Sequence, residues 1–276
     1  MINSVDNKKE GINKIIADYV RQEYNLDVYT ASPEQLEIVE RILVSGKSHA
    51  YRFWDFSAFP NLKVIDCSNN FVDKIIISDN PYLEEISLVN CGIDFVLDFS
   101  HNPHLKKIKA GDNKFIQLDL TSNHELEQLS IVWNRHMRWL DLSGCPNLRE
   151  LDLCGALLPF VDLTNCGKLE KLDISYMNIY RNAFNVYGHD FPRPFVLVNE
   201  DFNEDIIPKD TRMFDYYTYF LVRVKPGSPE ESFLKKDLIA KKEFMISIPC
   251  DNQNDCIAKT HYVLKHRLYK YQRHEL

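Results

Sequence analysis

The chain has 276 residues and a formal net charge of −7, a balance that argues against a nucleic-acid binder as a whole. With 45% apolar and 26% charged residues it has an ordinary soluble composition. No stretch reaches the ~20 apolar residues that a membrane-spanning helix needs. The charge is uneven: residues 1–182 hold 19 Lys+Arg against 26 Asp+Glu, and residues 183–276 hold 14 of each.

The first ten residues contain no apolar run of the kind a cleaved export signal carries. The seven cysteines, an odd number without such a signal, favour free thiols in a reducing compartment. A cytoplasmic protein is the expectation, with export as an effector by a route that needs no cleaved signal as the other possibility. Residues 10–24 place Ile12, Ile15, Ile16, Tyr19 and Val20 on one helical face. Ser32-Pro33-Glu34-Gln35 then reads as a capping box opening a second helix, with Leu36, Val39, Ile42 and Leu43 on one side. Residues 1–50 are therefore expected to be a helical cap.

From there a period takes over. Leu62, Leu83, Leu105, Leu126, Leu148 and Leu169 follow one another at intervals of 21 or 22 residues. A fixed period of that length marks a solenoid, in which each coil buries its apolar edge only against its neighbours. Aligned on these leucines the repeats read L-x-x-L-x-L-x-x-N-x-L. The alternation in Val64-Ile65-Asp66-Cys67-Ser68 and its counterparts predicts a short strand in each repeat with one face buried. The strand exits carry Asn70, Cys91, Asn113, Asn134, Ala156 and Met177, where an amide can satisfy backbone groups that leave the ladder. A second alternating segment recurs as Ile75-Ile76-Ile77-Ser78, Leu97-Asp98-Phe99-Ser100, Leu118-Asp119-Leu120-Thr121, Leu140-Asp141-Leu142-Ser143 and Val161-Asp162-Leu163-Thr164. Trp54-Asp55-Phe56-Ser57 stands alone at the start as the same half-unit. Each coil is thus expected to have two extended sides and two tight turns, the second turn marked by Asn80-Pro81, Asn102-Pro103, Asn123, Cys145-Pro146 and Cys166-Gly167.

The segment from Arg52 to Ile179 resembles bacterial leucine-rich repeats of the 21–22-residue type. Its LDLS-like half-units and its inward cysteines, such as Cys67, look like the internalin J group. The resemblance implies an α/β solenoid with parallel strands on a concave face, and protein binding on that face. The repeat domain is taken as residues 51–182.

After Ile179 the period is lost. Phe195–Val198 and Tyr216–Val224 read as strands, Ser228-Pro229-Glu230-Glu231 opens a helix, Glu243–Ile248 reads as a strand, and Cys256–Tyr271 has helical spacing. Residues 183–276 are expected to form a small α+β module.

Outward positions on the concave strands are Glu85, Lys107, Lys109, Gln128, Val132, Glu150, Asp152, Lys171 and Asp173, with Trp133 and Tyr176 at strand exits. Mixed charge around a few large aromatics suits a protein interface. The opposite face carries Asp55, Asp98, Asp119, Asp141 and Asp162, beside Val96, Trp139 and Phe160. These carboxylates either bond nearby turn amides and the Ser/Thr row, or receive a basic segment. Basic and aromatic residues interleave over Lys259–Arg273, a pattern that reads first as the solvated side of an amphipathic helix. His101-x-x-His104 straddles Pro103 at a turn without a cysteine pair of zinc spacing, so no metal is expected. Cys250-Asp251 with Cys256 nearby, or Cys250 paired with His261, hints at a thiol nucleophile, and buried structural thiols are the plainer reading. No phosphate loop, nucleophile elbow or HExxH motif is present. The expected function is a non-enzymatic scaffold without cofactor that binds a protein partner, and neither nucleic acid nor membrane. An effector enzyme with its activity in residues 183–276 is the alternative, and the oligomeric state is open.

Overall fold

A computed structural model describes residues 9, 11–46, 51–156, 158, 160–175, 195–199, 201–206, 220–224 and 227. Two helices come first, α1 (Lys14–Tyr24) and the four-residue α2 (Pro33–Leu36). The strands follow in chain order as β1 (Arg41–Leu43), β2 (Phe53–Asp55), β3 (Val64–Asp66), β4 (Lys74–Ile76), β5 (Glu85–Ser87), β6 (Lys107–Lys109) and β7 (Gln117–Asp119). They continue as β8 (Gln128–Ser130), β9 (Trp139–Asp141), β10 (Glu150–Asp152), β11 (Phe160–Asp162), β12 (Lys171–Asp173), β13 (Phe195–Asn199) and β14 (Phe220–Val224). A 3-10 turn, Glu204–Ile206, lies between the last two.

One side of the coil is a continuous seven-stranded parallel sheet in the order β1-β3-β5-β6-β8-β10-β12. Equivalent residues pair in strict register, Ile65 with Ile86, Ile86 with Ile108, Leu129 with Leu151 and Leu151 with Leu172. The other side is made of shorter pieces: β2-β4, β7-β9 and β11-β13-β14, with one isolated bridge between Asp98 and Asp119. The middle residue of each three-residue strand points into the coil, and the six period-setting leucines line the same core, five of them at 0% exposure and Leu169 packed against it. Every coil therefore closes on side chains of its own two strands and rests on the coils beside it, as a solenoid requires.

Both tight turns are held by side chains reaching between coils. The Asn70 amide donates to Val44 O (2.9 Å) and Cys67 O (2.9 Å), Asn113 to Leu88 O (2.7 Å), and Asn134 to Ala110 O and Ile131 O (2.9 Å each). The Asn113 Oδ1 in turn accepts from Cys91 N (3.1 Å) and Ile93 N (3.0 Å) of the preceding coil. Cys91 fills the same place with a thiol that donates to Cys67 O (3.3 Å). At the opposite turn Asn80, Asn102 and Asn123 donate from one coil to the last, Asn102 to Ile77 O and Asn80 O, Asn123 to Phe99 O and Asn102 O. Cys145 follows in that row with its thiol 3.5 Å from Leu120 O, and Cys166 comes next.

At the N-terminal end the chain packs on the first coils, and part of it differs from the expectation of a helical cap. Helix α1 buries Ile16, Ala17 and Val20 and is capped by Asn13, whose Oδ1 accepts from Ile15 N and Ile16 N (3.1 Å each). The capping box at Ser32 also forms: Ser32 Oγ accepts from Gln35 N (3.3 Å) and Gln35 Oε1 from Ser32 N (2.7 Å). The helix it opens ends at Leu36, however, and Ile42 and Leu43 lie in strand β1. A short isolated helix has little stability of its own, whereas Ile38, Val39, Ile42 and Val44 are β-branched residues arriving at an open sheet edge. Pairing Ile42 with Ile65 buries both, so the sheet takes the segment and begins before residue 51.

The strands expected in the C-terminal module also join the solenoid. β13 pairs with β11 in parallel, Phe160 to Phe195 and Val161 to Val196, and β14 pairs with β13. Val196 and Val198 belong to the same buried core as the repeats. The helix from Ser228, the strand Glu243–Ile248 and the helix Cys256–Tyr271 lie outside the described residues, as do Cys250 and His261.

Candidate binding face

The concave sheet presents two outward rows. The first residue of each strand runs Arg41, Val64, Glu85, Lys107, Gln128, Glu150, Lys171, and the third runs Leu43, Asp66, Ser87, Lys109, Ser130, Asp152, Asp173. The expected face residues Glu85, Lys107, Lys109, Gln128, Glu150, Asp152, Lys171 and Asp173 therefore stand together on one surface. Lys171 Nζ donates to Glu150 (2.5 Å) across neighbouring strands. Asp66, Asp152 and Asp173 each turn one oxygen toward the exit of their own strand, accepting from Ser68 N (3.0 Å), Cys154 N (3.1 Å) and Ser175 N (2.8 Å). Burial raises the Asp152 carboxyl above the usual carboxylate range, and the adjacent Asp173 charge adds to the rise.

These strands form the floor of a cleft of about 430 Å³ over β6, β8, β10 and β12. Its charged rim comes from Lys107 and Lys109 at one end and Glu150, Asp152, Lys171 and Asp173 at the other, with Gln128 and Ser130 between. Ile206, from the 3-10 turn, supplies the wall that the sheet does not. Sequence reading misses Ile206, because nothing in a period lost after Ile179 indicates which way the chain returns.

Val132 and Trp133 mark the strand exit. Trp133 has φ of +55° in a row of left-handed turn residues that also holds Asn69, Asn90, Asp112 and Gly155. Asn, Asp and Gly suit that conformation, and a bulky residue there costs about 1 kcal/mol or more. Two glycines make room. A Cβ on Gly155 would meet the Trp133 ring at 2.3 Å, and one on Gly111 would meet Val132 Cγ2 at 2.5 Å. The Trp133 ring thus lies on the backbone of the next coil while Val132 lies on the previous one, and the Arg135 guanidinium sits 5.2 Å from the Trp133 ring. The pattern Gly111, Val132-Trp133, Gly155 at the repeat period was the sequence signal for this platform. Tyr176 lies outside the described residues.

A charge ladder runs along the edge of this face. The residues just before the strands run Glu40, Lys63, Glu84, Lys106, Glu127, Arg149, Glu170, alternating in sign without a break. Lys63 meets Glu40 at 2.7 Å and Lys106 meets Glu84 at 2.9 Å, and Arg149 pairs with Glu170. Each lysine is held above its usual value, first by the hydrogen bond to its glutamate and then by that charge. The six residues that follow the period-setting leucines supply all but the first of this ladder.

The acidic row on the second face is a set of turn acceptors. Oδ1 of Asp55, Asp98, Asp119, Asp141 and Asp162 accepts from the backbone N–H two residues on, Ser57 (2.9 Å), Ser100 (2.8 Å), Thr121 (2.9 Å), Ser143 (2.9 Å) and Thr164 (2.9 Å). Thr121 and Thr164 add their hydroxyls at 2.7 and 2.6 Å. These are the turns that Asp favours, and the same motif closes the concave strands. Asp55 is buried against Gly11 of the N-terminal segment. Beside the row, Val96 and Ile116 are more than half exposed and Trp139 is 39% exposed. Phe160 holds its place in β11, next to Phe195 of β13.

The described histidines and cysteines outside this face make local contacts. His101 lies 3.1 Å from Ser100 Oγ, and His104 pairs with Glu125 at 2.9 Å. Among the described residues, no group of three His, Cys, Asp or Glu is placed to hold a metal ion. Cys67, Cys91, Cys145, Cys154 and Cys166 are free thiols. Burial pushes Cys166 up to about 12, and Cys67 is held well above its usual value by its hydrogen bond with Cys91 and by burial. Thiols raised in this way, Cys67 and Cys166, are poor nucleophiles, whereas the hydrogen bond with Cys67 lowers the Cys91 thiol. Among the described residues, no helix is long and apolar enough to cross a membrane.

No family model and no curated protein matches the sequence. Among solved structures, the functional domain of InlJ from Listeria monocytogenes, described as including a cysteine ladder, is similar over 63% of this chain and 40% of its own, at 18% identity and a TM-score of 0.44. A leucine-rich-repeat protein from Leptospira interrogans matches over 52% of this chain and 39% of its own, at 18% identity and a TM-score of 0.47. Internalin C2 from Listeria monocytogenes matches over 61% of this chain and 87% of its own, at 12% identity and a TM-score of 0.41. The chain spans less than half the length of the first two. The period, the repeat consensus and the stacked two-sided coils together make this chain a parallel-strand solenoid with a 21–22-residue repeat, similar in fold to leucine-rich-repeat proteins.

Proposed function

We propose that the protein is a non-enzymatic scaffold that recognises a protein partner on its concave sheet. The observation that carries this reading is the continuous seven-stranded face, whose outward side chains are held at strand spacing and open into a cleft with charged groups at both ends. Stacked coils lose little freedom when a partner docks, so binding energy is not spent on ordering the face. Trp133, laid on Gly155 beneath Arg135, is the aromatic anchor of the rim. Free, buried thiols suit a reducing compartment, and a cytoplasmic setting is part of the proposal.

A photo-crosslinking side chain placed at Ser130, on the concave face, and separately at Gln117, on the second face, tests the reading in lysate of the source cell. A discrete protein adduct is expected from Ser130 and not from Gln117. Trp133→Ala should weaken that adduct while the circular dichroism of the protein stays unchanged. Equal labelling from both positions, or an adduct indifferent to Trp133→Ala, counts against the concave face.

A further inference from the structure

The cleft is electrically lopsided. At the β6 end stand Lys107 and Lys109, and among the described residues neither has an ion-pair partner. Lys171, at the other end, is engaged by Glu150. That leaves Asp152 and Asp173 side by side on paired strands, each using one oxygen for its own turn. Two half-buried carboxylates in that position repel each other, and an outside cation would relieve them. Between the two ends, Gln128 and Ser130 offer uncharged donors and acceptors suited to a polypeptide backbone.

The spacing of the ends is set by the sheet. Neighbouring strands lie ~4.8 Å apart, so Lys109 is ~10 Å from the Asp152 position and ~14 Å from that of Asp173. An extended chain advances ~3.3 Å per residue as a strand and ~3.1 Å as a polyproline-type helix. Side chains four apart in the first, or three apart in the second, lie on one side and match that distance. Ile206 walls the cleft and offers an apolar contact to the residues between.

We propose that this cleft takes an extended protein segment carrying an acidic side chain and, three or four residues along, a basic one, which meet Lys107/Lys109 and Asp152/Asp173 respectively. The inference rests on the reading of the concave sheet as a protein-binding face and specifies the partner's chemistry.

The test uses the full chain and fluorescent ten-residue peptides in a Ser/Thr/Val background, with one Glu and one Arg separated by one to six positions, read by fluorescence anisotropy. Peptides with spacings of three and four are expected to bind about threefold to fivefold tighter than those with spacings of one or six, the worth of one satisfied charge pair. The Lys107→Glu/Lys109→Glu variant should lose these peptides and take up the equivalent Arg–Arg peptides instead. Should that double variant fail to fold, Lys109→Gln alone is expected to reduce the preference for the Glu-bearing end. Affinity independent of spacing, or a charge exchange that leaves peptide choice unaltered, overturns the proposal. If the Ser130 cross-linker still captures a protein while no peptide binds, the bipolar chemistry is wrong and the binding face stands. If neither binds, both fall.

Discussion

The two sides of the coil are built from the same half-unit and behave differently. On both sides an Asp recurs at the strand end and accepts from the amide two residues on, on the concave side at Asp66, Asp152 and Asp173 and on the other at Asp55, Asp119, Asp141 and Asp162, with Asp98 doing the same beside its isolated bridge. Yet the concave sheet is continuous over seven strands, while the second side is broken into three pieces. The connections account for this. From second-side strand to next concave strand the chain always advances eleven positions, Phe53 to Val64, Lys74 to Glu85, Gln117 to Gln128, Trp139 to Glu150 and Phe160 to Lys171. From concave strand to second side it advances ten positions in some coils, Val64 to Lys74 and Lys107 to Gln117, and eleven in others, Gln128 to Trp139. The alternation of 21 and 22 in the leucine period arises here. A constant connection delivers every concave strand at one height, and a variable one does not. The regular side is suited to present side chains, and the irregular side absorbs the variation.

The largest expected effects lie in the turns that join the two sides. Asn113→Ala removes three donated bonds and two accepted ones from a buried site, and a loss of about 3 kcal/mol is expected by denaturant titration. Asn123→Ala at the opposite turn removes two donated bonds only, since Asn123 Oδ1 is buried without a partner, and about half that loss is expected. Equal losses would mean that the two turns contribute alike, contrary to the comparison.

Next comes the strand exit. Gly155→Ala meets both a φ of +69° and the Trp133 ring, so a loss of about 2 kcal/mol or more is expected. Gly46→Ala, at φ of +64° with open space around it, should lose only about 1 kcal/mol, which isolates the contribution of the ring. The Gly155→Ala variant should also weaken partner binding if Trp133 is the rim anchor.

A smaller effect distinguishes the carboxylates of the two faces by pH. Asp152 has its folded-state pKa raised, so the folded protein binds the proton more readily than the unfolded one. Its charge therefore costs stability above that raised value, and the cost disappears as pH falls toward the ordinary ~3.9. Asp152→Asn should raise the melting temperature at pH 7 and leave it unchanged near pH 3. Asp98 is the opposite case: bonds from Ser100 lower its pKa, so its contribution is present above the unfolded value and is lost as pH falls through the folded one. Asp98→Asn should lower the melting temperature slightly at pH 7. Smallest of all, Lys106→Glu places like charges between Glu84 and Glu127, and a modest fall in melting temperature that added salt reverses is expected.

The repeats were legible because each coil sees the same neighbours. Leu62 to Leu169, the Asn70, Asn113 and Asn134 exits and the half-unit at Trp54 all follow from the period, and the structure places them so. The alternating ladder from Glu40 to Glu170 was legible too, in the residue after each leucine, once the repeats are read across rather than along. The helix after Ser32 stops at Leu36 because the apolar spacing beyond it serves a strand equally well, and only the open edge at Ile65 chooses between them.

What the amino-acid sequence determined by itself is local and periodic: where a strand starts, which residues point inward and which turn residues close each coil. Those are settled by side-chain size, backbone preference and an invariant neighbour. Tertiary structure alone decided what depends on unequal neighbours. It sent Phe195–Asn199 and Phe220–Val224 onto the second side and brought Ile206 to the concave cleft. In each of these the deciding contact comes from another coil or from beyond the period, where spacing along the chain carries no information about distance in space.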